Sequence, residues 1–239
     1  MKIACTVGHS ILRNGSITSA SGVINEYKWC KQFVPILVEA FNYQDGHSAV
    51  VIQCPEKEFT SASQEKTYKL GKVNNKGYDL LIESHLNSFS DVNSNGTETL
   101  YHSKSTKGKE YATRVNAKLS EVFRNRGAKP NESLYILKDT TPPAILIEYF
   151  FCTNKDDYSK ADTVEEMRNL ALKVVEGVLN IKPKNPWAKT TTSIPSTSTE
   201  GDTYYRVVVG SYKDRKNADN LVNELKAKGY NPFIDVYRK

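Results

Sequence analysis

No stretch of this 239-residue chain is apolar for anything like the roughly 18 residues of a membrane span. Its most apolar segment, Ala144 to Cys152, carries Glu148 at its centre. The opening Met1-Lys2-Ile3-Ala4-Cys5-Thr6-Val7-Gly8-His9 lacks both a long apolar core and a small-residue cleavage site, which argues against a secretory signal peptide. The only cysteines are Cys5, Cys30, Cys54 and Cys152, and no two form a C-x-x-C pair. That excludes a thiolate zinc site and a disulfide-stapled mini-protein, and it reads as small reduced core residues of a chain made in a reducing cytoplasm. With 38% hydrophobic residues, the composition is also far from that of a disordered chain.

What is present is unevenly distributed. Residues 1–181 hold 22 Lys and Arg against 21 Asp and Glu, whereas residues 182–239 hold 11 against 6. The excess positive charge of the C-terminal quarter suits a polyanionic partner, for which nucleic acid, an anionic cell wall and a membrane surface all qualify, or it is ordinary solubilising charge. Between the two parts, Lys182–Thr203 carries Pro183, Pro186, Pro195 and a Thr/Ser run from Thr190 to Thr199, and it reads as a linker.

Before that linker, short β runs alternate with helical stripes. Strands are expected at Lys2–Gly8, Ser48–Gln53, Tyr78–Ser84, Thr97–Tyr101, Leu134–Leu137 and Ala144–Tyr149. Helices are expected at Asn25–Phe41 (capped by Asn25, kinked or broken at Pro35), Ser63–Asn75, Lys107–Arg126 (stopping at Gly127) and Val164–Leu179. The pattern predicts an α/β domain: a mostly parallel twisted sheet with helices on both faces. After the linker, Tyr204–Gly210, Asp214–Lys228 and Asn231–Tyr237 predict one small β-α-β unit.

Two of the four histidines fall where such a sheet collects ligands, at the carboxyl ends of strands: His9 after Ile3–Gly8 and His85 after Asp79–Ser84. Glu26, at the head of the first helix, is the nearest third ligand for a metal and sits where the helix dipole favours a carboxylate. Glu148 is an expensive charge inside an apolar strand unless it faces a metal or acts as a base. Glu83, two residues before His85, points to the same face and is either a rival ligand or a group that orients His85. Spacing alone leaves this open. Separations of 17 and 59 residues match no compact zinc motif, hydrogen-bonded loop histidines account for His9 and His85 as well, and a strand-end salt bridge accounts for Glu148. His47 and His102 lie in polar surroundings and read as surface residues.

Taken in order, four motifs resemble the zinc-dependent N-acetylmuramoyl-L-alanine amidases of the amidase-3 family, in particular the clostridial phage endolysins. They are Gly8-His9, Glu26 in Ile24-Asn25-Glu26-Tyr27, Ser84-His85-Leu86-Asn87, and Pro143-Ala144-Ile145-Leu146-Ile147-Glu148 running on to Asn154. Two positions depart from the family's pattern: Val7-Gly8-His9-Ser10 stands for P-G-H-G, and Glu83 for a common serine. The resemblance implies that residues 1–181 are a zinc amidase domain in which His9, Glu26 and His85 hold Zn2+ and Glu148 is the general base. It also implies that Lys138 and Asn154 flank the site, within reach of a stem peptide. The bond cut would join the lactyl group of N-acetylmuramic acid to L-alanine.

The C-terminal residues Tyr204–Tyr212, Asn217-Ala218-Asp219 and Leu225–Tyr230 resemble the first half of a SPOR domain, a family that binds peptidoglycan glycan strands. Among polyanions the resemblance selects the cell wall over nucleic acid, with no membrane insertion. Two strands and a helix bury too little core to stand alone, so residues 204–239 are expected to pair with a second copy and make the chain a homodimer. The expected path is synthesis in the cytoplasm and action on the wall after holin-mediated release or cell lysis. The competing readings are a zinc-dependent wall peptidase and a non-catalytic wall-binding protein.

Overall fold

The computed structural model describes residues 1–188, Tyr212 and residues 214–227. The chain divides into two units, Met1–Lys189 and Thr190–Lys239.

The first unit is built on six strands: β1 (Lys2–Val7), β2 (Ser48–Ile52), β3 (Leu80–Asn87), β4 (Thr97–Tyr101), β5 (Asn125–Pro130) and β6 (Ala144–Phe151). They lie in the order β2-β1-β3-β6-β4-β5. All neighbours are parallel except β4 and β6, so β4 and β5 run opposite to the other four strands. β1, β3 and β6 occupy the middle and are buried on both faces, which is why their sequences are almost continuously apolar.

The two faces are covered unequally. Ile3, Cys5 and Val7 of β1, Leu80 and Ile82 of β3, and Ile145 and Ile147 of β6 face one large core. It is closed by α1 (Glu26–Asn42), α3 (Thr106–Leu119) and α6 (Val164–Leu179). α3 and α6 approach so closely that a Cβ on Gly177 would lie 2.6 Å from Val115 Cα. The alternate residues, Ala4, Leu81, Ala144 and Leu146, face a smaller core closed by α2 (Ala62–Val73) and by the single-turn α4 (Tyr135–Lys138). Because side chains alternate along a strand, Glu83, His85 and Glu148 belong to this thinly covered face.

Several expectations are corrected. The predicted helix Lys107–Arg126 ends at Leu119 with Ser120 as its cap; Phe123 enters the core from a turn, and Asn125-Arg126-Gly127 opens edge strand β5 with Gly127 at φ +89°. The predicted strand Leu134–Leu137 is instead α4, started by Asn131 Oδ1, which accepts from the N–H groups of Ser133 and Leu134. Lys155–Tyr158, not expected as an element, forms the one-turn α5. β3 runs on to Asn87, so His85 lies within the strand and not beyond it. α1 passes Pro35 as one element, capped by Asn25 as expected; Pro35 and Lys31, whose carbonyl the proline leaves unbonded, are both exposed. The segment 182–188, expected to open the linker, is docked: Lys184 exchanges two hydrogen bonds with the Gln44 amide, and Trp187 packs on the large core under Arg168.

In the second unit α7 (Arg215–Ala227) falls within the predicted helix and half-buries Ala218, Leu221, Val222 and Leu225. The predicted strands Tyr204–Gly210 and Asn231–Tyr237 lie outside the described residues.

Pro35→Ala would restore an N–H to the Lys31 carbonyl without burying anything. We expect it to stabilise the protein by about 1–3 kcal/mol and raise the melting temperature by several degrees. A lower melting temperature would show that α1 needs the proline.

Candidate metal centre

At the carboxyl end of β1 the chain turns at Gly8 and His9. His9 itself sits at φ +63°. Gly8 packs directly on the neighbouring strand: a Cβ there would lie 2.6 Å from the Ser84 carbonyl oxygen and 2.7 Å from the His85 ring. Only glycine lets His9 and His85 come this close, with ring centroids 4.7 Å apart and nearly perpendicular.

Glu26 meets both rings. Its Oε1 is 3.1 Å from His9 Nε2 and 2.8 Å from His85 Nδ1. The carboxylate is fixed by backbone donors: Leu86 N–H reaches Oε1 at 3.1 Å and Ala20 N–H reaches Oε2 at 3.1 Å. Its place in the first turn of α1 adds the favourable end of the helix dipole. One ligand atom from each of His9, Glu26 and His85 lies within 4.8 Å of the other two, the only such cluster found among the described residues. Burial opposes ionisation of Glu26, but hydrogen bonds from His85 and His9 outweigh it and hold the carboxyl well below its usual range. Burial likewise opposes charge on His85, yet Glu26 and Glu83 raise it to about 10. Two imidazoles and a carboxylate are a donor set that fits a catalytic zinc.

Glu148 stands beside this cluster by strand register. It pairs with His85 across β3–β6 and with Glu98 across β6–β4. Its Oε2 is buried without a hydrogen-bond partner. Burial pushes its pKa to about 7; the His85 charge opposes the rise and the Glu26 and Glu98 charges add to it. Glu98 stays out of the site because Lys129 Nζ at 2.6 Å, Arg126 Nε at 3.2 Å and Asn87 Nδ2 at 3.0 Å hold it.

Glu83 faces His85 as expected, with Oε1 3.5 Å from Nε2, and is paired with the buried Lys69 at 2.5 Å. Asn154 is buried; its side chain caps α5, accepting from Asp157 N–H, and donates to the Val92 carbonyl. It therefore ties the loop after β3 to the end of β6. Lys138 is exposed at the last position of α4 and makes no bond to the cluster. His47 lies by the N-terminus and His102 pairs with Glu132, both apart from the cluster. Glu65 and Lys69, buried on α2, and Thr18, beside His9, were not foreseen; a buried i, i+4 stripe that happens to be charged looks in sequence like a solvent face.

A sequence model of the N-acetylmuramoyl-L-alanine amidase family matches residues 3–180, and a SPOR domain model matches residues 179–235. The catalytic domain of the CD27L endolysin targeting Clostridia difficile is 53% identical and superposes with a TM-score of 0.71, covering 75% of this chain and 97% of that one. The N-acetylmuramoyl-L-alanine amidase of Clostridium difficile 630 shares the fold at 24% identity, with a TM-score of 0.63 over 75% of this chain and 95% of that one. The sporulation-specific N-acetylmuramoyl-L-alanine amidase of Bacillus subtilis (strain 168) is 25% identical over 165 residues, 68% of this chain and 58% of that protein. The chain spans about half the length of the curated relatives it matches first.

The raised pKa of Glu148 makes a test of its burial. A carboxyl that binds its proton more tightly when folded stabilises the fold in full below about pH 4.5 and loses that contribution as the pH rises to about 7. Glu148→Gln cannot ionise. Between pH 4.5 and 8, metal-free wild type should therefore lose up to about 3 kcal/mol relative to the variant in denaturant unfolding. A difference that does not change with pH would place Glu148 in water.

Proposed function

Because the chain belongs to the N-acetylmuramoyl-L-alanine amidase family through residues 3–180, we propose that it cleaves the amide between the lactyl group of N-acetylmuramic acid and the L-alanine of the stem peptide. The observation that carries this reading is the unpartnered Oε2 of Glu148 beside the convergent His9, Glu26 and His85. Zinc held by those three residues would supply a Lewis acid for the scissile carbonyl. The residues of the chain do the rest. Glu148 Oε2 takes a proton from the attacking water and returns it to the nitrogen of the departing alanine. Burial, which raises its pKa to about 7 in the metal-free chain, favours holding that proton. Glu98, clamped by Lys129 and Arg126, keeps negative charge next to Glu148 and favours proton uptake. Lys138, exposed at the end of α4, is the side chain offered to a carboxylate of the stem peptide.

The same reading gives the chain two working parts. The first is the catalytic domain, expected over residues 1–181 and with its docked tail reaching residue 188. The second is a half-length SPOR-like unit, residues 204–239, which would bind glycan strands and pair with a second copy to form a homodimer. The remainder of the expected 182–203 linker would tether the two. No helix among the described residues is long and apolar enough to cross a membrane. Release through a holin pore or by cell lysis would bring the enzyme to its substrate.

Glu148→Gln should keep metal and fold yet lower the rate of wall lysis by on the order of 10²–10⁴. Wild-type digests should contain new L-alanine amino termini with muramic acid intact; free amino termini deeper in the stem peptide would replace the amidase with a wall peptidase. Near-normal lysis by Glu148→Gln would remove Glu148 from the mechanism.

Residues 1–189 alone should cleave soluble muramyl peptides as the full chain does but clear intact walls more slowly, because a tethered wall-binding unit raises the local concentration of the site. Light scattering should give a dimer for the full chain and a monomer for residues 1–189. Equal clearing by both would show that the C-terminal unit does not target, and a monomeric full chain would end the dimer.

A further inference from the structure

Helix α2 presents an odd buried stripe. Its inward positions, one turn apart, are Glu65, Lys69 and Val73, with relative exposures of 6%, 1% and 0%. A helix that only closed a core would place apolar side chains there. Burying two charges costs several kcal/mol each unless close partners compensate. Each of these charges leads to a different histidine of the metal centre.

The first path starts at Glu65. Its carboxylate accepts from the Ser10 hydroxyl and from Thr18 Oγ1, the latter at 3.1 Å. Thr18 Oγ1 lies 3.5 Å from His9 Nδ1. With its own hydrogen given to Glu65, the Thr18 oxygen is an acceptor for the ring, which keeps a proton on Nδ1 and makes Nε2, the nitrogen that meets Glu26 here, the one a metal would take. The second path starts at Lys69, whose ammonium lies 2.5 Å from Glu83 Oε1; that same oxygen is 3.5 Å from His85 Nε2. Glu83 thus keeps a proton on Nε2 and makes Nδ1, the nitrogen that meets Glu26 here, the one a metal would take. The two imidazoles turn opposite nitrogens toward one carboxylate oxygen, and each is backed from behind by α2.

We infer that α2 is a bracket for the metal centre, in which Glu65 acting through Thr18 and Lys69 acting through Glu83 are positioning residues that set the tautomer and ring orientation of His9 and His85. This rests on the metal-centre reading. The two paths share no residue other than those of the helix, so each can be cut separately. Outer partners of metal-bound histidines of this kind are typically worth about 10–100-fold in metal affinity.

The test measures Zn2+ affinity of the full chain by chelator competition and the ligand-field spectrum of the Co2+ form, with melting curves of the metal-free proteins as the measure of folding. Thr18→Val, which removes only the hydroxyl, should weaken metal binding about 10–100-fold and alter the Co2+ spectrum, while Thr18→Ser stays near wild type. Glu65→Gln should weaken it in the same direction, and adding it to Thr18→Val should cost little more, because both act along one path. Lys69→Met with Glu83→Gln, which removes the buried pair together, should cost a comparable factor through His85. Wild-type affinity and spectrum in a folded Thr18→Val would overturn the bracket, as would Thr18→Ser failing as badly as Thr18→Val. If the double variant does not fold, the Thr18 pair decides. A wild-type chain that takes up no metal would remove the metal-centre reading itself.

Discussion

One carboxylate oxygen, Glu26 Oε1, is the point at which three parts of the chain meet. It receives the Leu86 amide from β3, faces a ring nitrogen of His85 and faces another of His9 from the turn after β1. An ionised carboxylate so deeply buried is tolerable only while those donors surround it. The arrangement therefore ties the start of α1 to the carboxyl ends of the paired strands β1 and β3 and orients both rings at once. Gly8 is the matching steric condition, since a single methyl group there would collide with the ring that Glu26 holds. Charge and space are thus constrained at the same few ångströms of the molecule.

The rest of the architecture follows from covering the two sheet faces differently. Three helices of 17, 14 and 16 residues close one face and make the larger core. On the other, α2 and one turn of helix suffice, and β6 and β3 bring Glu148 and His85 to that face as paired neighbours. The reversal of β4 and β5 sets Glu98 directly across from Glu148, and Arg126 and Lys129 of β5 pair with it.

Much of this was legible in the sequence because it is local. Strands β1, β2, β4 and β6 and helices α1 and α6 have clean periods, and Asn25 was readable as a cap from its position alone. The convergence of His9, Glu26 and His85 was suggested by the resemblance of short motifs to a family, whereas their spacing alone left it open. What escaped was non-local. Leu134–Leu137 suits a strand or a helix equally, and only Asn131, folding back on its own backbone, chooses the helix. Val122 and Phe123 continue the stripe of α3 on paper, yet Phe123 reaches the core from a turn. Lys69 and Glu65 read as solvated charges because their partners, Glu83, Ser10 and Thr18, are distant in sequence.

All four cysteines are buried and unpaired, and burial raises the pKa of every one, those of Cys54 and Cys152 to about 11. At pH 8 a thiol of that kind is ionised only about one part in a thousand, and the thiolate is the form that oxidants and other thiols attack. In the folded chain these thiols are accordingly poor targets for oxidants and for disulfide exchange. A chain folded among glutathione and then spilled into air would need neither an oxidase to finish it nor a reductant to preserve it.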